Sequence, residues 1–252
     1  MSLQGSVQGG LLRPLRKAGL ALASWWPWPV VARLKTGRKM FVDLRSSIGR
    51  AIYMKGEFDP RVFDPLAPRL KPGGIFLDVG ANIGYYSMRA LDLVGEAGAV
   101  HAFEIDPRPI HCLRKTIREI CLKNVVLHEQ AVGDRNGPAF LVERDDCGHS
   151  SVATEGGGGD SVPMITLDAW RERHPGGTIH AIKLDIEGGE LRALRGATEL
   201  LRREHPLLVC EVIEDAGDRR HGDTQALFDL LKSAGYQWRW IEGCNDATLV
   251  AE

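Results

Sequence analysis

The chain has 252 residues, 44% hydrophobic and 26% charged, with a formal net charge of −1. That is enough apolar sequence to bury one large core and too much for a disordered chain. The longest uncharged stretch near the start, residues 18–32, carries Pro27 and Pro29 and is too short and interrupted to span a bilayer.

Residues 1–50 hold nine Lys and Arg against Asp43 alone, a net +8 that leaves −9 for residues 51–252. Arg13, Arg16 and Lys17 precede the apolar Gly19-Leu20-Ala21-Leu22-Ala23, as in an export signal. Trp25, Trp26 and Trp28 then stand where a small-residue cleavage region belongs, so export is not expected. Five cysteines (Cys112, Cys121, Cys147, Cys210, Cys244) form no CxxC pair and are odd in number. They read as reduced, mostly buried thiols of a cytoplasmic protein rather than a zinc ribbon or a disulfide framework. Residues 1–35 therefore read as a basic, Trp-rich extension. Its two readings are an arm lying on its own acidic body, or a segment that seeks anionic lipid or a lipid-linked substrate. Residues 36–252 read as one domain.

From Ile75 onward, short apolar runs alternate with helical patterns. The runs are Ile75 to Val79, Ala99 to Phe103, Val125 to Leu127, Ile182 to Leu184 and Leu207 to Cys210. Asp106-Pro107 is a helix start, followed by Ile110, Leu113, Ile117 and Cys121 on one face. Leu191, Leu194 and Leu201 mark a helix after Gly189, and Leu227, Leu230, Leu231 and Ala234 mark another that stops at Gly235. Tyr236 to Ile241 and Ala247 to Val250 are too close in sequence to pair other than antiparallel. The pattern predicts an α/β fold: a doubly wound, mostly parallel seven-stranded sheet with a C-terminal antiparallel hairpin. A β insertion spans about residues 137–168, with Gly156 to Gly159 as a loop, and it is a candidate for part of the substrate pocket.

The strongest local signal is Asp78-Val-Gly80-Ala-Asn82-Ile-Gly84, a strand that ends in an acid and turns through Gly-x-Asn-x-Gly into a helix. Gly80 permits close backbone approach to a ligand, Asn82 tolerates a left-handed conformation, and Gly84 lets helix and strand pack. Glu104 ends the next strand 20 residues later, where a ribose diol would sit. A nicotinamide-binding G-x-G-x-x-G does not fit, because Val79 and Ala81 occupy two of its glycine positions. An adenosyl sulfonium cofactor, with no pyrophosphate to cradle, fits better, and Asp78 suits its cationic amino-acid tail.

These motifs resemble the FkbM family of S-adenosylmethionine-dependent methyltransferases. The residues that carry the resemblance are Asp78 to Gly84, Phe103-Glu104 with Asp106-Pro107, and Leu167-Asp168. To these add Ile182-Lys-Leu-Asp185-Ile-Glu187-Gly-Gly-Glu190, followed by Leu194-Arg-Gly196-Ala197. The likeness covers roughly residues 40–245, beginning with Asp43-Leu44 and Gly56-Glu57-Phe58. It implies a class I, Rossmann-like methyltransferase fold, S-adenosylmethionine as cofactor, and methylation of a hydroxyl on a small molecule or glycan, a saccharide or secondary metabolite.

On that reading Gly80, Asn82 and Gly84 wrap the methionine part, Glu104 accepts from both ribose hydroxyls, and Gln130-Ala131 meets the adenine. An alcohol must shed a proton before it attacks, and Asp185 and Glu187 are the candidate bases. Helix capping is the alternative for Glu187 and Glu190. No metal is expected, although Glu211 ends the strand beside Asp185 and a divalent cation shared by the two is the alternative. His149, Ser150 and Ser151 lie in the insertion within reach of a substrate, with a solvent-exposed loop as the alternative. His101, His111, His128 and His180 read as packing positions. Methylation of nucleic acid is the alternative activity, against which stand the −9 over residues 51–252 and the absence of an Asn/Asp-Pro-Pro-aromatic motif after the fourth strand, so no nucleic acid partner is expected. A cofactor-binding module without catalysis is the alternative from another class.

Overall fold

The computed structural model describes residues 26–144, 149–153, 160–212, 218–244 and 247–252. In chain order it runs β1 (Val30–Arg33), β2 (Lys39–Val42), α1 (Ser47–Lys55), α2 (Pro60–Phe63), β3 (Ile75–Val79), α3 (Tyr85–Val94) and β4 (Ala99–Phe103). Next come α4 (Pro107–Glu119), β5 (Val125–His128), β6 (Ala131–Val132), β7 (Gly137–Arg144), β8 (His149–Ala153), β9 (Ser161–Ile165) and α5 (Leu167–Arg173). The last part is β10 (Ile179–Leu184), α6 (Glu190–Arg195), α7 (Thr198–Glu204), β11 (Leu207–Glu211), α8 (Asp218–Ser233), β12 (Trp238–Trp240) and β13 (Thr248–Ala251).

The main sheet has seven strands in the order β12-β13-β11-β10-β3-β4-β5. Only β13 runs against the others, pairing antiparallel with both β11 and β12. The expected hairpin is present, and its second strand is wedged between the first and the parallel sheet. Alternation along β3 explains the two helical layers. Ile75, Leu77 and Val79 join Trp170, Leu194, Leu201 and Leu231 in one core, and Phe76 joins Ile52, Phe63 and Met88 in the other. The chain grows outward from β3 through β4 to β5 and then returns to β10 on β3's opposite side. The loops therefore diverge between β3 and β10, the place where open α/β sheets bind ligands.

Several local expectations need correction. Asp106 does cap α4, accepting from Arg108 N at 3.0 Å. The helix ends at Glu119, however, so Cys121 lies beyond it, exposed and at φ 56°. Cys112 and Cys210 are buried, Cys244 is half-buried, and Cys147 falls outside the described residues. The helix expected after Gly189 is two helices, α6 and α7. The chain breaks at Gly196, which packs so closely on the loop after β6 that a Cβ there would come within 2.0 Å of Gly133 O. Asp168 then caps α7 from a distance, its carboxylate accepting from Glu199 N at 3.1 Å and Leu200 N at 2.8 Å.

The insertion folds as a second sheet in the order β6-β9-β7-β8. The Gly156 to Gly159 loop falls outside the described residues, as do residues 1–25 of the extension. Within the extension Val30–Arg33 forms β1 and pairs with β2, and Ala32 and Leu34 are buried. Among the described residues no helix is long and apolar enough to cross a membrane.

Candidate functional site

At the β3–α3 turn the backbone folds so tightly that only glycine fits. Gly80 sits at φ 75°, and a Cβ there would come within 1.7 Å of Asp185 O. The close approach allowed by Gly80 is therefore to the loop after β10 rather than only to a ligand. Asn82 takes the left-handed conformation expected of it, φ 50°, and its Oδ1 accepts from Ile83 N at 2.8 Å. Gly84 opens α3 at φ 85°, and its missing side chain leaves room for Leu113 of α4. The contact is helix to helix, where helix to strand was expected.

Glu104, at the exit of β4, holds the turn. Its Oε2 accepts from Asn82 N at 2.7 Å, and its Oε1 accepts from Ile105 N at 2.7 Å and Asp106 N at 2.9 Å. Burial pushes the Glu104 carboxyl above its ordinary value, against the lowering effect of these three N–H donors. A carboxylate has about four acceptor positions, so Oε2 keeps roughly one for a ligand hydroxyl.

The exit of β10 is organised by a residue to which the sequence assigned no role. Lys183 is buried in the strand, and its ammonium donates to Gly80 O at 2.7 Å and lies 3.0 Å from Asp185 Oδ2 and 3.8 Å from Asp78 Oδ1. It also stands 5.3 Å from the centre of the Tyr86 ring. Burial opposes its charge, but Asp185 and Asp78 outweigh that and hold its pKa above the ordinary value. Asp78 is fully buried, accepts from Ser87 Oγ at 2.5 Å, and has its own carboxyl pushed up by burial. The signal in the sequence was there: a cation between Ile182 and Leu184 in a strand has to find a partner.

Asp185, Glu187 and Glu211 bring carboxylate oxygens within 4.8 Å of one another. Burial, then the neighbouring Asp185, pushes the Glu211 carboxyl up to about 10, so it is protonated at neutral pH. Glu190 is buried and accepts from Ile186 N at 2.9 Å and Gly188 N at 3.1 Å, closing the loop before α6. Glu190 thus ties the loop ahead of the helix rather than capping the helix itself. Glu187 instead sits at φ 57° on the loop.

Both strand exits open on one cavity of about 360 Å³. Gly80, Asn82, Glu104, Gln130, Ala131, Asp185 and Glu187 all line it, whereas Asp78 and Gly84 do not. Ser47, Ile48 and Phe58 add a wall from α1 and the loop after it, and Arg192 and Glu211 complete the β10–β11 side. His149, Ser150 and Ser151 lie in β8, and their side chains fall outside the described residues. His101 Nδ1 and His128 Nε2 are 3.0 Å apart and pack with Trp170 and Phe103. His180 Nδ1 accepts from Lys71 N at 3.2 Å, while His111 is exposed on α4.

Residues 78–238 match the family model described as "Methyltransferase FkbM domain". A solved structure of methyltransferase FkbM from Methylobacillus flagellatus KT superposes with a TM-score of 0.50 at 20% identity, over 71% of this chain and 43% of that one. A protein of Sulfolobus acidocaldarius named "Probable cobalt-precorrin-6B C(15)-methyltransferase (decarboxylating)" is 43% identical over 61 residues, 24% of this chain and 32% of that protein. The chain spans less than half the length of either relative. The solved relative supports the class I, Rossmann-like fold, and the family model covers well over half of the chain, from the acid of the first parallel strand to the start of β12. The chain belongs to the FkbM methyltransferase family.

Proposed function

We propose that this chain transfers a methyl group from S-adenosylmethionine to a hydroxyl of a saccharide or secondary metabolite. The observation that carries the reading is that Glu104 and Asp185 open on the same cavity from opposite sides of the switch between β3 and β10. A cofactor held by its ribose at Glu104 then has its sulfonium end toward Asp185. Gly80 and Asn82 wrap the methionine part, with Gly84 shaping the turn from behind, and Gln130 and Ala131 border the adenine.

Asp78 acts at one remove. It and Ser87 seat Lys183, and Lys183 in turn fixes Asp185 and the Gly80 carbonyl. Asp185 takes the hydroxyl proton as the oxygen attacks the methyl carbon and the carbon–sulfur bond breaks. The products are a methyl ether, a neutral thioether and a protonated Asp185, so charge balances. Glu187 is the second candidate base. Carboxylates around the cavity favour the cationic cofactor over the neutral thioether product.

The test is incubation with methyl-labelled S-adenosylmethionine and fractionated hydroxyl-bearing metabolites and glycans, with the product identified by mass spectrometry and NMR. A labelled methyl ether supports the reading. Label appearing only on carbon or nitrogen, or no cofactor binding by calorimetry, refutes it.

A further inference from the structure

Seven large apolar side chains stand exposed among the described residues, and five of them fall between residues 26 and 54: Trp26, Trp28, Val31, Tyr53 and Met54. Trp26 is 54% exposed and Trp28 63%. Isolated exposed apolar residues are ordinary, whereas a concentration of this kind marks an interaction surface. The same stretch carries the basic charge. Residues 26–55 hold seven Lys and Arg against Asp43 alone, while residues 56–252 sum to −10. Some of these cations are used internally, Lys35 on Glu57, Arg38 on Asp92 and Arg45 on Asp43. Arg33, Lys39 and Lys55 are exposed and make no ion pair among the described residues.

The fold brings the exit of β1 and the last turn of α1 together, with Trp26 and Trp28 just ahead of β1. In β1 the inward Ala32 is buried and the outward Val31 and Arg33 face solvent. Lys35 N donates to Gly56 O at 2.9 Å, and a Cβ on Gly56 would lie 3.0 Å from Arg33 O. The last turn of α1, with Tyr53, Met54 and Lys55, is thereby held against the exit of β1. At its other end the same nine-residue helix supplies Ser47 and Ile48 to the cavity wall. About 8 Å of helix, from Ile48 to Tyr53, thus separates the cavity rim from the start of the apolar, basic patch.

We propose that the β1–β2 hairpin and α1 form a docking surface for an anionic lipid bilayer. Tryptophan and tyrosine rings suit the headgroup zone, where one part of the side chain is apolar and another wet. Lysine and arginine beside them are drawn to negative lipid. A second copy of this chain fits poorly, because a two-fold contact through the patch sets like charge against like. The surface does not depend on which acceptor is methylated. Its position places the cavity rim beside the membrane.

The test is flotation of the full chain with vesicles of phosphatidylcholine containing about a third phosphatidylserine, against phosphatidylcholine alone. Binding to the anionic vesicles at low salt is expected, weaker by about tenfold on neutral vesicles and lost in high salt. The combined variant W26A/W28A/Y53S/M54S is expected to weaken binding about tenfold with an unchanged melting temperature. R33E/K39E/K55E, confined to exposed charges, is expected to do the same and stands as the test should the first variant misfold. The proposal is overturned by failure to float with anionic vesicles or by equal flotation of both variants. It is equally overturned by tighter binding to an RNA duplex at matched salt, or by a solution dimer that the tryptophan variant dissociates.

Discussion

Lys183 Nζ lies 3.0 Å from Asp185 Oδ2 and donates to Gly80 O at 2.7 Å, so one buried cation joins the candidate base to the turn after the first parallel strand. Replacing it with methionine leaves Asp78 buried without its counter-charge. Lys183→Met should therefore destabilise the fold by on the order of 3–5 kcal/mol, read by chemical denaturation. A double variant Lys183→Met/Asp78→Leu should recover part of that loss, since removing both partners spares the buried charge. No recovery would mean that the Asp78 charge is not what Lys183 balances.

Asp185→Asn should keep S-adenosylmethionine affinity and lower turnover by roughly 10²- to 10⁴-fold, the usual share of a general base. Asparagine keeps the shape and can still accept from Lys183. Isothermal titration separates binding from turnover, and a wild-type rate would move the base role to Glu187 or elsewhere.

Glu104→Ala should weaken S-adenosylmethionine binding by about 1.5–3 kcal/mol. It should also lower stability, because the N–H groups of Asn82, Ile105 and Asp106 lose their acceptor. Titration and thermal melting on the same preparation test both halves. Unchanged affinity with reduced stability would make Glu104 a turn-holding residue only.

Glu211, protonated at neutral pH, should tolerate conversion to glutamine. Its folded pKa of about 10 lies above its ordinary 4.5, so the folded chain binds more protons than the unfolded one between those values. Stability from this group is full below about pH 4.5 and is lost as pH rises toward 10. Glu211→Gln should raise the melting temperature at pH 8 relative to the wild type and leave turnover within about threefold. Lys183 already supplies a cation at Asp185, so chelator should not reduce turnover; if it does, the carboxylate trio is holding a metal.

The imidazole pair behaves in the opposite sense. Burial lowers His101 and His128 to about 4, from an ordinary 6.5. Here the unfolded chain binds the extra protons, so stability is full above pH 6.5 and falls as the solution is acidified toward pH 4. Melting curves across that window should show the loss. His128→Phe should flatten it by about half, distinguishing it from carboxylate titration at lower pH.

What the sequence made legible was what a short window encodes. β3 and β4 match the apolar runs end for end, because each is an uninterrupted buried stretch bounded by turn residues. The turn of Gly80 and Asn82 was legible for the same reason, and Glu104, 22 positions after Asn82, was legible from its place at the end of the next strand. The break between α6 and α7 was not, because the leucine spacing runs through it and the packing of Gly196 on Gly133 is between residues remote in sequence. β1 and β2 were obscured by the tryptophans, prolines and cations around them. Their short alternations, Ala32 with Leu34 and Met40 with Val42, become readable once the α4 face they cover is known. Phe41 N donates to Thr116 Oγ1 at 2.9 Å, a tie across 75 positions that no local pattern announces.

The wedged position of β13 dictates an order of assembly. Among the described strands β12 pairs with β13 alone, so Trp238–Trp240 leave a ribosome before that strand has an edge to join. Until Thr248–Ala251 emerge and pair with Leu208–Glu211, β11 is the outer strand of a growing parallel sheet, with its ladder groups open to solvent. Among the described strands, the one that closes that edge is the last in chain order. A chaperone or an aggregating neighbour would find its opening in that interval, on the flank of β11 and away from the cavity-lining turn after β3.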